Sequence, residues 1–467
     1  MANYKKVTTE VVAMLQKIVG AKNISVDLGK LSIYSHDEVT DPHYHHMPEV
    51  VVFPETTEQI ADIIKLANQE MIPVVPRGAG TGLACGAVPQ LGGIVLSVEK
   101  LNKIIEVNAD EMYMIVQAGV MTQDVQQAAG QVGLLYAGDP SSGDSCFIGG
   151  NVATNAGGLK AVKYGTTRHQ VYSMVIVTPK GDITTVGGRL KKNTTGYALE
   201  QLIIGSEGTL GIITEITLKL VPQINLFMDF LAVYPDTKSA IDTVSKLIKA
   251  GVNPTCLEFM DNAMIKSVEK YIKEKLPYAE TCDYLIVQVE RDTEDELDEV
   301  AAVIDDICTE NGAVTVLVPD PGLIWEARKA SAEAVRAENL IHSNDDMVVP
   351  IEKQPIVAAE MIRVSKKYKA AARMVSHAGD GNMHLSLLPG DIPEAEWEAT
   401  VKRIQHEILD VIVPLGAKIS GEHGIGLKKK PLMEYYTDPV ELEMMRAIKK
   451  ALDPNLILNP GKIFDVE

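Results

Sequence analysis

Three glycine-dense stretches punctuate the first half of the chain. The first, Arg77-Gly78-Ala79-Gly80-Thr81-Gly82, directly follows the strand-like residues 73–76; the second spans residues 149–158 and the third 205–211. A loop of this kind after a buried strand can turn several backbone N–H groups toward one point. Glycine leaves room for a close ligand and reaches positive φ without strain. Two common phosphate loops are excluded by counting. A P-loop needs Gly-Lys followed by Ser or Thr, which does not occur. The dinucleotide fingerprint needs glycine at i, i+2 and i+5; from Gly78 the last position is Leu83, from Gly80 it is Cys85. The residues after the loop read as strand, not helix. A hairpin turn remains the alternative for any single loop, but three in one region point to a ligand site.

At 467 residues the chain is too long for one core, so two or three domains are expected. Hydrophobic residues make up 46% of it, which excludes a disordered chain. The formal net charge is -19, from 63 acidic and 44 basic side chains. Such a surface repels nucleic-acid phosphate and anionic lipid, so neither is an expected partner. Any anionic substrate needs local positive groups. Cys85, Cys146, Cys256, Cys282 and Cys308 stand far apart, without a Cys-x-x-Cys pair. That spacing suits reduced thiols and argues against an iron–sulfur cluster. The N-terminus lacks the apolar core of a secretory signal, and no run reaches membrane-span length. A cytoplasmic protein that is not integral to a membrane is expected.

Periodicity predicts an amphipathic helix over Thr9–Val19, then a polar stretch ending in His43, His45 and His46. No carboxylate or cysteine follows these at ligand spacing, which favours a solvated loop over a metal site. Residues 50–53 read as a strand. Thr56-Thr57-Glu58-Gln59 reads as a capping box opening a helix with Ile60, Ile63, Ile64 and Ala67 on one face. Strands continue through Val116, then a helix over Thr122–Gly130. From about residue 223 the texture changes. Residues 228–234, 283–289 and 314–318 read as strands, and 238–250 and 294–309 as helices. This succession predicts an antiparallel sheet covered by helices on one face.

The second half carries His377-Ala378-Gly379-Asp380-Gly381-Asn382-Met383-His384. Gly-Asp-Gly-Asn is strong turn chemistry, so the two histidines can converge from opposite arms of a hairpin. Two imidazoles and a carboxylate make a three-ligand metal site with open positions. Glu422, in Gly421-Glu422-His423-Gly424, can supply that carboxylate, with His423 left over. The bland alternatives are a structural histidine pair and a tight loop. Alone, these residues would also suit a metallohydrolase.

Pro76-Arg77-Gly78-Ala79-Gly80-Thr81-Gly82-Leu83 resembles the pyrophosphate loop of the FAD-binding family that includes p-cresol methylhydroxylase and vanillyl-alcohol oxidase. Asp139-Pro140-Ser141-Ser142, with Ile148-Gly149-Gly150-Asn151 through Asn155-Ala156-Gly157-Gly158, resembles that family's second segment. Gly205-Ser206-Glu207-Gly208-Thr209-Leu210-Gly211-Ile212 resembles its third. The histidine and Gly-Glu-His segments are similar to those of FAD-linked D-2-hydroxy-acid dehydrogenases. The resemblance implies an α+β fold. It comprises an N-terminal helical segment 1–47, a two-subdomain FAD-binding domain 48–222 of the p-cresol methylhydroxylase type, and an α+β cap 223–412 with an antiparallel sheet. A C-terminal segment, 413–467, returns to the flavin site.

The resemblance further implies FAD bound non-covalently, with Cys85 a buried, unmodified thiol. The implied contacts are Pro76, Arg77, Gly78, Ala79, Gly80, Thr81, Gly82 and Leu83 from the first segment. Pro140, Ser141, Gly149, Gly150, Thr154, Asn155, Gly157, Gly158, Tyr164 and Gly165 come from the second. Glu207, Gly208 and Ile212 come from the third, and Asn459 from the chain end. A divalent metal (Zn, Fe or Mn) falls to His377, His384 and Glu422, the catalytic base to His423. Arg328 of Trp325-Glu326-Ala327-Arg328 would hold a substrate carboxylate, the alternative being a surface ion pair on its helix. Ser386 stands where relatives often carry Asn. Residues 342–346 lack the lysine of dicarboxylate-specific relatives, which favours a small monocarboxylate. The implied reaction oxidises D-lactate to pyruvate by hydride transfer to flavin, with glycolate or another 2-hydroxy acid as alternative. Without a cysteine cluster or nicotinamide fingerprint, electrons are expected to leave for a separate redox protein. Here the chain resembles catalytic subunits that work with an electron-transfer flavoprotein in electron bifurcation. An iron–sulfur subunit or a quinone is the alternative acceptor.

Overall fold

Thr8 caps the first helix, Thr9–Val19, by accepting from the Val11 amide in the computed structural model, which describes residues 3–39 and 41–466. The helix Thr57–Glu70 buries Ile60, Ile63, Ile64 and Ala67 completely, as its spacing predicts. Its N-cap, Thr56, accepts from the Gln59 amide, but Gln59 reaches back to the amide of Glu55. The reciprocal half of the expected capping box is thus displaced by one residue. His43 and His45 are exposed around the short turn Pro42–Tyr44, and His45 stacks on His36 with ring centroids 4.6 Å apart. All five cysteines are buried and none is in a disulfide. Among the described residues no helix is long and apolar enough to cross a membrane.

The chain divides into two units, one formed by residues 1–157, 165–223 and 422–467, the other by 158–164 and 224–421. In the first unit, Val50–Val52, Ile94–Ser97 and Val74–Arg77 pair in parallel, with Ile24–Ser25 antiparallel at the edge. The central two strands are apolar and wholly buried, as a parallel sheet covered on both faces requires. A second, antiparallel sheet runs in the order Ile104–Asn108, Tyr113–Gln117, Ile212–Lys219, Val171–Val177, Ile183–Gly187. One core containing Ile60, Leu96, Val116 and Ile216 serves both sheets. Residues 78–93 are irregular until the strand at Ile94, so the loop does not run directly into a strand as its sequence suggested. The chain end returns here: Leu458 bridges Val74 in parallel, and the Asn459 amide donates to the Val74 carbonyl at 2.7 Å.

The second unit is built on an antiparallel sheet in the order Thr315–Leu317, Leu226–Tyr234, Asp283–Arg291, Cys256–Met260, Ala371–His377, Asn382–Leu388, Ser343–Val348. Helices cover both faces of it, not one as expected. Leu231 and Val233 pack into a core with the helices Asn262–Ile272 and Pro321–Lys329. Tyr234, on the opposite face, donates its hydroxyl to Thr243 of the helix Thr237–Lys249. Phe230-Leu231-Ala232-Val233-Tyr234 is apolar at every position and buried throughout, so each side of the strand needs a cover. The unit also claims residues assigned elsewhere by sequence. Lys163 pairs with Glu290 at 2.7 Å and Tyr164 donates to the same carboxylate, drawing 158–164 here. The Ser420 hydroxyl and Gly421 amide bond Asp346, so the stretch before Glu422 belongs here too.

The histidine hairpin forms as the turn residues predict. Val375 stands opposite His384 and His377 opposite Asn382, which makes the two imidazoles diagonal neighbours on one face. Gly381 closes the turn at φ +85°, and a Cβ there would lie 2.1 Å from the Val349 carbonyl oxygen. Gly381→Ala should therefore destabilise the protein by about 2 kcal/mol or more. Thermal unfolding with an unchanged midpoint would show that the turn tolerates a side chain.

Candidate active site

All three glycine segments meet at one cavity in the first unit. Pro76 through Leu83 line it from the first segment. Pro140, Ser141, Gly149, Gly150, Thr154 and Gly157 line it from the second, and Glu207, Gly208 and Ile212 from the third. The first and second loops meet at glycines: a Cβ on Gly78 would lie 3.6 Å from the Gly150 Cα. A Cβ on Gly150 would meet no atom within 4 Å and would project into the open cavity. This is a cradle shaped by missing side chains, and it fits a ligand held by main-chain groups.

Several of the expected contacts brace the cradle. The Arg77 guanidinium borders the cavity but donates to the His36 carbonyl at 2.6 Å, lying directly under Gly80. It braces the loop. Asn155, in the left-handed conformation that ends the helix Ile148–Thr154, accepts from the Thr166 hydroxyl and the Arg168 amide. Gly165, at φ +77°, sits against the His169 ring. Asn459 donates to the carbonyls of Gly86 and Glu207, at 3.0 and 2.7 Å. Gly158 and Tyr164 lie in the second unit. The glycine pattern finds the lining, but it cannot separate residues that touch a ligand from those that hold the loops. Asp37, Cys146 and Phe147 also line the cavity and carry no motif signal. Burial pushes the Asp37 carboxyl above its usual range. Cys85 is buried outside the cavity wall, its thiol pushed up by burial.

The same cavity contains Glu422 and His423. Glu422 packs so close to Gly157 that a Cβ there would stand 2.4 Å from its Oε2. The loop carrying them is anchored by Glu207, whose buried carboxylate accepts the amides of Ile425 and Gly426 at 2.7 and 2.8 Å. Desolvation raises the Glu207 pKa, and those two amides oppose the rise.

In the second unit the rings of His377 and His384 meet edge to face, with centroids 5.2 Å apart. The Nδ1 of His377 lies 2.9 Å from Glu258 Oε1. The other oxygen of Glu258 accepts from Arg328 Nε at 2.8 Å. Arg328 is therefore buried, and the surface ion pair allowed by its sequence context is not what forms. Its Nη2 is 2.7 Å from the same oxygen but lacks hydrogen-bond geometry, which leaves a buried donor without an acceptor. Ser386 donates to Asn344 at 2.8 Å, and Asp346 accepts from Asn382, Ser420 and Gly421. Glu258 and Asp346 escaped the sequence reading because a lone acidic residue in a strand carries no spacing signal.

A family model described as FAD binding domain matches residues 48–187, and one described as FAD linked oxidases, C-terminal domain, matches residues 230–463. The chain is 37% identical to a D-lactate dehydrogenase of Anaerostipes hadrus, over 98% of both chains. It is 36% identical to the glycolate oxidase subunit GlcD of Bacillus subtilis (strain 168), over 98% of this chain and 97% of that one. In fold it matches p-cresol methylhydroxylase with a TM-score of 0.81, over 100% of this chain and 99% of that one, at 18% identity. The FAD-binding assignment makes the cradle testable. Gly150→Leu introduces no backbone strain within its helix but fills the open cavity. It should yield a folded protein with under about a tenth of the wild-type FAD, given the steric block. A full yellow complement in that variant would mean that FAD does not occupy the cradle. With the three loops converged on one cavity, and with relatives matched over nearly their whole length, the hydrolase reading lapses and the chain belongs to the FAD-linked oxidoreductase family of D-lactate, glycolate and 2-hydroxyglutarate dehydrogenases.

Proposed function

We propose that the protein is a cytoplasmic dehydrogenase that oxidises D-lactate to pyruvate and passes the electrons to a separate redox protein. The observation that carries this reading is the presence of Glu422 and His423 in the wall of the same cavity as the three glycine loops. An acid–base pair of residues from the far end of the sequence has no structural need to be in a nucleotide cleft. There it suits chemistry at the flavin.

Bound FAD, held non-covalently, supplies a hydride acceptor, and a bound divalent metal supplies a Lewis acid for the 2-hydroxyl. His377, His384 and Glu422 would hold the metal. Two imidazoles and a carboxylate suit Zn, Fe or Mn, and the edge-to-face histidine pair on one hairpin fits a shared ligand. Gly421, the residue before Glu422, is itself held by Asp346, across the sheet from His384. Arg328 would receive the substrate carboxylate, which gives its unsatisfied Nη2 an acceptor in a charge-assisted bond. His423 would accept the proton of the 2-hydroxyl as the α hydrogen departs. The chain's own contribution is placement and the exclusion of water.

A small monocarboxylate is favoured over a dicarboxylate. The strand Ser343–Val348 carries buried Asp345 and Asp346 beside His384 and offers no lysine to a second carboxylate. Glycolate is the next candidate, in keeping with the name of the second relative. The five cysteines are dispersed and make no cluster, so the electrons need a separate acceptor; the chain's resemblance to catalytic subunits of bifurcating complexes favours an electron-transfer flavoprotein in that place. An iron–sulfur subunit or a quinone is the alternative.

Anaerobic stopped-flow mixing with D-lactate, glycolate and D-2-hydroxyglutarate should bleach the flavin fastest with D-lactate. Bleaching by none of them sinks the proposal. His423→Ala should keep its FAD and reduce it at least about a hundredfold more slowly, the usual loss for a missing general base. An unchanged rate removes His423 from that role.

A further inference from the structure

Glu258 belongs to neither histidine motif nor to any glycine segment, yet it is among the most deeply buried acidic residues of the second unit, 1% exposed. It lies in the strand Cys256–Met260, between the histidine-bearing strand Ala371–His377 and Asp283–Arg291. Its two oxygens are divided between two groups of the proposed site: Oε1 faces His377 Nδ1 at 2.9 Å, and Oε2 takes Arg328 Nε at 2.8 Å. A carboxylate accepts and does not donate, so the proton in the first contact belongs to Nδ1. The lone pair of a neutral His377 then resides on Nε2. The second contact holds the guanidinium through Nε, with Nη2 2.7 Å from the same oxygen but outside hydrogen-bond geometry, so the Nη2 donor is left for another acceptor.

Resting on the function proposed above, we infer that Glu258 is a positioning residue that sets the site twice. It fixes the His377 tautomer that offers Nε2 to a metal, and it aims Arg328 at the substrate carboxylate. One buried side chain thereby couples metal binding to carboxylate binding. A purely structural ion pair would need the Arg328 contact alone. The division of the carboxylate between a guanidinium and an imidazole is what a positioning role adds.

Glu258→Gln is the informative variant, since it keeps the shape but offers one acceptor oxygen to two donors. The metal-stripped, FAD-loaded protein is titrated with Zn(II), and the 2-hydroxy-acid KM is measured separately from kcat. The expected result is a loss of Zn(II) affinity of about tenfold to a hundredfold, the usual cost of removing such a partner. A KM raised by about tenfold or more is expected alongside, since the carboxylate clamp is displaced. FAD content should stay at the wild-type level, because the cavity lining lies in the other unit. Glu258→Asp, which retains the charge on a shorter arm, should recover part of both losses. Wild-type Zn(II) affinity and KM in folded Glu258→Gln overturn the inference. A wild-type chain that takes up no Zn(II) fails at an earlier arm and overturns the metal reading together with it. Should Glu258→Gln not fold, histidine 15N shifts of the wild-type protein decide: a protonated Nδ1 and bare Nε2 on His377 support the inference, and the reverse tautomer overturns it.

Discussion

A carboxylate buried at the root of the third glycine segment holds this architecture together. Glu207 adopts the left-handed backbone conformation, at φ +51°, and turns its side chain inward to accept two successive amides from the C-terminal loop. Burying a charge is costly, and charge-assisted bonds to main-chain donors are among the few contacts that offset it. The buried Lys462, whose pKa desolvation lowers to about 8, adds attraction from the chain end. The amides held are those of Ile425 and Gly426, so the residues just before them, Glu422 and His423, are delivered to the cavity wall. The glycine loops make a space; Glu207 decides which side chains enter it.

Much of this was legible in the sequence because the signals were local. The helix Thr9–Val19 and the helix Thr122–Gly130 follow from periodicity at one face and glycine at one end. The histidine hairpin follows from Gly-Asp-Gly-Asn, whose turn geometry brings residues seven apart to one face. The glycine segments mark their own convergence, since few other arrangements need so much bare backbone in one place. Where the sequence misled, the deciding contact was distant. Arg77, which lines the cavity as the resemblance implies, also donates to the carbonyls of Ile33 and His36, and nothing in its own neighbourhood announces them. Residues 158–164 fall within the domain 48–222 that the resemblance implies, yet Glu290, more than a hundred residues away, ties them to the other unit.

The second unit shows the same limit at a larger scale. Three of its seven strands were read to within two residues and the histidine hairpin followed from its turn, but Cys256–Met260 and Ser343–Val348 carried no signal that was read; covering the sheet on one face was a habit of the strand–helix alternation, not a consequence of composition. The continuous apolar run from Phe230 to Tyr234 already carried the contrary signal, since a half-solvated strand alternates. Glu258 is the sharper case. A single acidic residue between apolar neighbours gives no period and no motif, and only the fold reveals that it divides itself between an imidazole and a guanidinium.

The bridge between Val74 and Leu458 has a consequence for how such a chain comes into being. The strand Val74–Arg77 leaves the ribosome long before its parallel neighbour at Leu458 is made. The nucleotide-binding unit must therefore wait, incomplete at one sheet edge, during synthesis of nearly the whole intervening sequence. The unit encoded in the middle has all its strands sooner. No single cut in the gene releases either unit whole, because the backbone passes between them at residues 157–158, 164–165, 223–224 and 421–422. Inheritance of the two as one piece is built into the threading.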